Sequence, residues 1–155
     1  MTPLDYSSLE RALAQLEKSH RYLQSDMSRK DPDLREQFQA ATIQAFEFTY
    51  ELSHKMLKRY LKMTSPNPAQ IDVMTFQTLI RTGWEQGLLH SWDRWRAYRK
   101  ARGITSHTYD GDKALEVLQV VPEFLEEAAY LLDVLRKRVT ASMSQSEDPV
   151  EKWIS

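Results

Sequence analysis

The chain has no cysteine among its 155 residues. Disulfide staples and thiolate metal sites are therefore excluded, and a reducing cytoplasm is the expected setting. Glycine occurs only four times, too rarely for the many tight turns of a β-rich fold. No run approaches the roughly 18 apolar residues of a membrane span, so no membrane partner is expected. The opening residues MTPLDYSSLER carry an early acid and no apolar core, so no secretory leader is expected. Charge is nearly balanced at −1. The field of the whole molecule will not draw in nucleic acid, and any such binding needs a local patch. Internal repeats, a glycine-rich phosphate loop and a Ser-His-Asp order are also missing. Four scattered histidines do not make a zinc site, and neither a metal nor a cofactor is expected.

What remains is ordinary and helical. Hydrophobic residues make up 41% and charged residues 28%, the balance of a soluble globular domain. The length suffices for one domain with a real core. Long periodic charged-apolar stretches predict an all-α, up-and-down bundle of about five helices. The first runs from Leu4 to about Ser28, with Leu9, Leu13, Leu16 and Leu23 on one side and Ser7 or Ser8 as cap. Pro32 ends the connector that follows. The second spans about Asp33 to Met63. Its stripe is Phe38, Ala41, Ala45, Phe48, Leu52, Met56 and Tyr60, widened by Phe46, Thr49, Leu57 and Leu61. A helix of that length, about 45 Å, suggests a dimer interface. A third helix is expected from Pro68 to Glu85. A fourth is expected from Trp92 to Arg102, with Ser91 as cap. The fifth runs from Asp112 to Val139, broken or kinked at Pro122, with Arg136, Lys137 and Arg138 in its last turn. The domain is thus set at 1–139, and residues 140–155 read as a polar, flexible tail in which Trp153 could dock.

The fourth helix has an unusual make-up. Arg94, Arg96, Arg99, Lys100 and Arg102 are interleaved with Trp95 and Tyr98. Such a helix can carry phosphates and stack bases. The tryptophans read as core, whereas the cations nearest its end, Arg99 and Lys100, read as RNA-binding. Beyond it, Gly103 and the Thr105-Ser106 pair interrupt the helical pattern, and Asp110-Gly111-Asp112 offers cap chemistry for a new start. On one continuous helix, positions five apart point about 140° apart. Arg102 and His107 can therefore share a site only across a backbone break. Glu47 and Glu51 lie one turn apart on the second helix. They are either a solvated edge, with Glu51 beside Lys55, or a carboxylate brace for Arg102.

The spacing Arg102-x4-His107-x-Tyr109, within RGITSHTYD, resembles the R-x4-H-x-Y motif of HEPN-domain proteins. Phe46-Glu47-Phe48-Thr49-Tyr50-Glu51-Leu52 looks like the corresponding helix of one branch, the nucleotidyltransferase substrate-binding proteins. The resemblance covers roughly Leu9 to Val139. Two positions depart from it. Gly103 stands where many relatives have asparagine, and His54 where many have tryptophan.

A histidine near pKa 6.5 can take or give a proton, and an arginine grips a phosphate by several bonds. That pair suits RNA cleavage without metal, through attack of a ribose 2′-OH and a cyclic phosphate product. The bland alternative is that His107 caps a helix and Arg102 merely pairs with Glu47 or Glu51. The resemblance implies the active version: a homodimeric endoribonuclease toxin with Arg102 and His107 catalytic and tRNA as target. It further implies a minimal nucleotidyltransferase partner that silences the toxin by transferring AMP to Tyr109. A second expectation is a non-catalytic substrate-binding subunit of that nucleotidyltransferase.

Overall fold

The computed structural model describes residues 3–154, with side chains described over 3–144. It is all-α, and no strand occurs among the described residues. The elements are α1 (Ser7–Leu23), α2 (Asp26–Lys30), α3 (Pro32–Thr64), α4 (Pro68–Asp72), α5 (Phe76–Glu85), α6 (Trp95–Gly103), a 3₁₀ turn (Thr105–His107) and α7 (Gly111–Ile154). None of these helices is long and apolar enough to cross a membrane. The long helices α1, α3 and α7 match three of the five expected, and two expected helices divide. The first stops at Leu23. Ser25 then caps the short α2 by accepting the Ser28 N–H at 3.4 Å. The third divides at residues 73–75, where the Thr75 hydroxyl accepts the Thr78 N–H at 3.2 Å and starts α5. A hydroxyl three residues ahead of an N–H makes a new cap wherever the backbone turns extended.

Other local details also differ from expectation. Tyr6, not Ser7 or Ser8, is the N-cap of α1 and makes no side-chain cap bond, while the Asp5 carboxylate just before it accepts the Ser7 N–H at 2.9 Å. Ser91 does not cap α6. Its hydroxyl instead donates to Asp93 at 2.5 Å, and α6 begins later, at Trp95. Pro122 is exposed and does not break α7. That helix continues past Val139 to Ile154, so Arg136–Arg138 do not sit in a last turn. Arg136 instead pairs with Glu10 of α1, Lys137 with Asp133, and Arg138 donates to the Gln86 carbonyl at 2.5 Å. A docked Trp153 lies outside the described side chains.

Helix α3 is the axis, touching every other element. The face it buries lies toward the side that Phe46, Thr49, Leu57 and Leu61 add to the predicted stripe, and those four, with Ala45 and Met56, are buried as expected. Phe48 is 55% exposed, while Thr42, Ile43, Phe46, Thr49, Tyr50 and Ser53 point inward. The hydroxyls explain the difference. Thr42, Thr49 and Ser53 each donate to the carbonyl four residues back, at 2.7 Å, and so are buried at little cost. Thr49 also lies 3.1 Å from the Ala12 carbonyl, which brings α1 close.

Leu9, Leu13 and Leu16 of α1, Leu57 and Leu61 of α3, and Val121, Leu131 and Leu135 of α7 fill the core. At its far end, Phe124 of α7 meets Phe46 at 5.0 Å and Tyr98 at 5.2 Å, both edge-on. Gly87 closes α5 at φ +79°, with the Leu88 N–H on the Gly83 carbonyl at 2.9 Å. That left-handed closure favours glycine.

Candidate active site

Helix α6 is fixed at both ends by carboxylates. Near its start, Oε1 of the buried Glu127 accepts the His90 N–H at 3.0 Å, the Ser91 N–H at 3.2 Å and the Trp95 indole N–H at 3.2 Å. Trp95 itself is fully buried, as expected for a core tryptophan. Near its end, Arg102 reaches α3. Its Nε donates to Glu51 at 3.0 Å, and Nη2 contacts Glu51 again and Glu47 at 3.4 Å. Of the two expectations for Glu47 and Glu51, the brace is what forms. Lys55 has no ion pair with Glu51 among the described residues. The Glu51 hydrogen bond, then the Glu47 and Glu51 charges, hold the Arg102 pKa above its ordinary value, so the guanidinium stays charged.

The helix then breaks between the two motif residues, as the spacing requires. Gly103 is the last residue of α6. Thr105 folds back: its hydroxyl donates to the Arg102 carbonyl at 2.8 Å and accepts from Arg102 Nη1 at 3.3 Å. The 3₁₀ turn so anchored ends on His107, whose side chain faces solvent. Tyr109 is 88% exposed, and its ring stands edge-on to that of His107 with centroids 6.4 Å apart. This segment is not extended, yet the two rings still meet. The Asp110 carboxylate accepts the Asp112 N–H at 3.0 Å and starts α7.

The guanidinium has five N–H donors. Two donate to Glu51 and one to Thr105, with the Glu47 carboxylate 3.4 Å from Nη2, which leaves one Nη1 and one Nη2 hydrogen outside these bonds. Additional positive charge must come from neighbours. Arg99 supplies some: it lies over the Phe76 ring at 4.4 Å and shares a cavity of about 480 Å³ with Arg102, His54 and Lys58. Lys100 does not join it. One residue further round the helix, Lys100 pairs with Glu116 of α7 at 3.3 Å. Sequence spacing alone missed Thr105, which ties the turn to the arginine. It also missed the cavity wall of Tyr50, His54 and Phe76, because those residues come from distant helices. His54 lies between Tyr50 and Phe76, with ring centroids 6.4 and 5.9 Å away. Burial, then Lys58 and Arg99, hold its pKa below the ordinary histidine value. Burial pushes the Tyr50 phenol up to about 12.

Fold and site define a class: an all-helical domain in which α3 carboxylates present an arginine beside a histidine-bearing turn. The chain belongs to the family described as nucleotidyltransferase substrate binding protein like, whose model matches residues 4–137. A Haemophilus influenzae protein named Probable ribonuclease HepT is 44% identical over 99 residues, covering 64% of this chain and 68% of that protein. A solved Haemophilus influenzae structure, described as revealing the fold of a substrate binding domain of a nucleotidyltransferase, aligns with a TM-score of 0.82. It shares 36% identity, over 85% of this chain and 99% of that one.

Proposed function

We propose that this protein is a metal-independent endoribonuclease that acts as a toxin, with Arg102 and His107 as its catalytic residues. The observation that carries the proposal is the Arg102–Thr105 tether, which fixes a charged guanidinium to the turn bearing a solvent-facing histidine. The relative named as a probable ribonuclease supports it. In this reaction His107 takes the proton of a ribose 2′-OH. The 2′-oxygen attacks phosphorus, the bond from phosphorus to the 5′-oxygen breaks, and that oxygen is protonated as it leaves. Arg102 and Arg99 stabilise charge building on the phosphate. A single histidine must serve as both base and acid, so a homodimer that sets two motifs in one cleft fits the chemistry better than a monomer. The RNA is tRNA by family resemblance.

Control in this reading falls to Tyr109. An exposed phenol against the His107 ring is accessible to a partner nucleotidyltransferase. Attack of the phenol oxygen on the α-phosphorus of ATP would release pyrophosphate and leave AMP on the ring. The added phosphate lies beside the RNA site and repels substrate.

One experiment tests both parts. The purified chain is expected to cleave RNA in EDTA, and His107→Ala to lower the rate about 10²–10⁴-fold with an unchanged melting temperature. Incubation with the partner nucleotidyltransferase, ATP and Mg²⁺ is expected to add whole AMP masses at Tyr109 and stop cleavage. Full activity in folded His107→Ala, or cleavage that requires added metal, overturns the catalytic assignment. A modified chain that still cuts RNA overturns the control. The alternative, a non-catalytic substrate-binding subunit, draws on one observation: Glu51 and Thr105 occupy three of the five Arg102 donors, and Glu47 adds a second carboxylate at 3.4 Å. RNA left intact by the unmodified chain would favour it.

A further inference from the structure

The five cations at positions 94, 96, 99, 100 and 102 divide by what they face. Arg94 and Lys100 meet carboxylates of α7, Glu123 at 3.5 Å and Glu116 at 3.3 Å. Arg102 meets Glu47 and Glu51 of α3. Arg96 and Arg99 have no ion pair among the described residues. Both line a cavity of about 510 Å³ whose wall includes Phe76, Ile80 and Trp92. A second cavity, of about 480 Å³, adjoins it through Phe76 and Arg99 and ends at Arg102. The two make one groove along α6. Arg96, Arg99 and Arg102 recur every third residue beside it, about 4.5 Å apart along the axis.

This juxtaposition is selective. A row of cations asks for a polyanion, and an aromatic wall asks for flat apolar faces. An RNA duplex hides its base faces, whereas an unpaired strand shows both phosphates and bases. The Arg99 guanidinium already sits over the Phe76 ring at 4.4 Å, with His54 also stacked on that ring. Its outer surface is a further platform for a base.

We propose that this groove holds the single-stranded RNA next to the scissile phosphate, with Arg96 and Arg99 on phosphates and bases against Trp92 and the outer surface of the Arg99 guanidinium. The proposal rests on the ribonuclease function and adds a path for the strand, along α6 from Trp92 to Arg102.

The test uses the full chain and a fluorescent, unpaired 2′-O-methyl oligoribonucleotide, in which the methyl group blocks the attacking oxygen. Binding is followed by anisotropy over a salt series, and cleavage of ordinary RNA is measured in parallel. Arg96→Ala is expected to weaken binding several-fold and to reduce the slope of log affinity against log salt by about 0.7, the value for one phosphate contact on a single strand. Arg99→Ala should do the same, and Arg99→Lys should keep the slope. Arg94→Ala, whose side chain faces α7, should bind as the unmodified chain does. Unchanged affinity and slope in Arg96→Ala, with RNA still cleaved, overturn the groove and leave the ribonuclease function standing. A chain that neither binds nor cuts RNA removes both. Equal or tighter binding of a duplex overturns the single-strand assignment. A drop in light-scattering mass for Arg96→Ala would make the groove an interface between copies, and would also overturn the proposal.

Discussion

Along α1, α3 and α7 the chain is held by apolar contact, with Leu9 and Leu16 of α1 and Leu131 and Leu135 of α7 fully buried. At α6 and the turn behind it, the buried Trp95 and Tyr98 are joined by a set of directed bonds: three N–H groups on Glu127, and Arg102 on Glu47, Glu51 and Thr105. The difference is one of purpose. Apolar packing is strong and non-directional, and it tolerates exchange of one similar side chain for another. Charge-assisted bonds set angle and register, which a reacting centre requires. Stability and function should therefore separate under mutation.

The largest effect on stability is expected at the joint between the two regions. Phe124→Ala removes the ring that packs on Phe46, Tyr98 and Trp95. It should cost about 3–5 kcal/mol of unfolding free energy in urea titration. A cost under about 1 kcal/mol would mean the aromatic cluster collapses around the gap. Glu51→Gln should be nearly silent in the same titration, since partly exposed ion pairs are worth only about 0–1 kcal/mol. Its effect should appear in kinetics instead. Loss of one negative charge beside the phosphate site should lower KM for RNA, and the loosened guanidinium should lower kcat. A change in kcat of up to about 10²-fold is within what misplacement by an ångström can do. If KM rises, Glu51 is not acting by its charge.

Acid sensitivity should be the smallest effect. Burial lowers the pKa of His54, with Lys58 and Arg99 adding to it, and burial lowers that of His20. Tyr50 and Glu51 line the same cavity as His54. For a depressed histidine the unfolded chain binds more protons, so stability is full above pH ~6.5 and falls as pH drops through the folded value. His54→Gln should make the melting temperature fall less steeply on acidification. An unchanged acid slope would show that His54 is protonated as readily in the folded chain as in the unfolded one.

Much of this was visible in the chain itself, for physical reasons. The three long helices follow from apolar spacing, and the break after Arg102 from Gly103 and the turn formers behind it. Residues one turn apart share a face, so the Glu47–Glu51 pair allowed either a solvated edge or a brace, and the position of Arg102 opposite decides for the brace. The burial of α3 was misjudged at Phe48, which is exposed, and at Thr42 and Ser53, which are buried, because hydrophobicity ranks a phenylalanine above a hydroxyl. Backbone bonding reverses that order for a hydroxyl on a helix. The ion pair of Lys100 was hidden for a related reason. A run of cations carries no mark of which have a carboxylate opposite, and Glu116 comes from a helix that begins after the motif. His54, Phe76 and Arg99 come together only through the tertiary fold.

The hub at Glu127 has a consequence for how this protein can drift in sequence. Two of the three donors that converge on its Oε1 are main-chain groups, from His90 and Ser91. Every amino acid except proline supplies that group. Positions 90 and 91 should therefore accept nearly any replacement but proline. Position 127, where one atom serves all three donors, should accept almost none. Trp95 can change only together with it. The loop would vary freely while the point it hangs from stays put, and a library randomised at 90, 91, 95 and 127 would display that asymmetry directly.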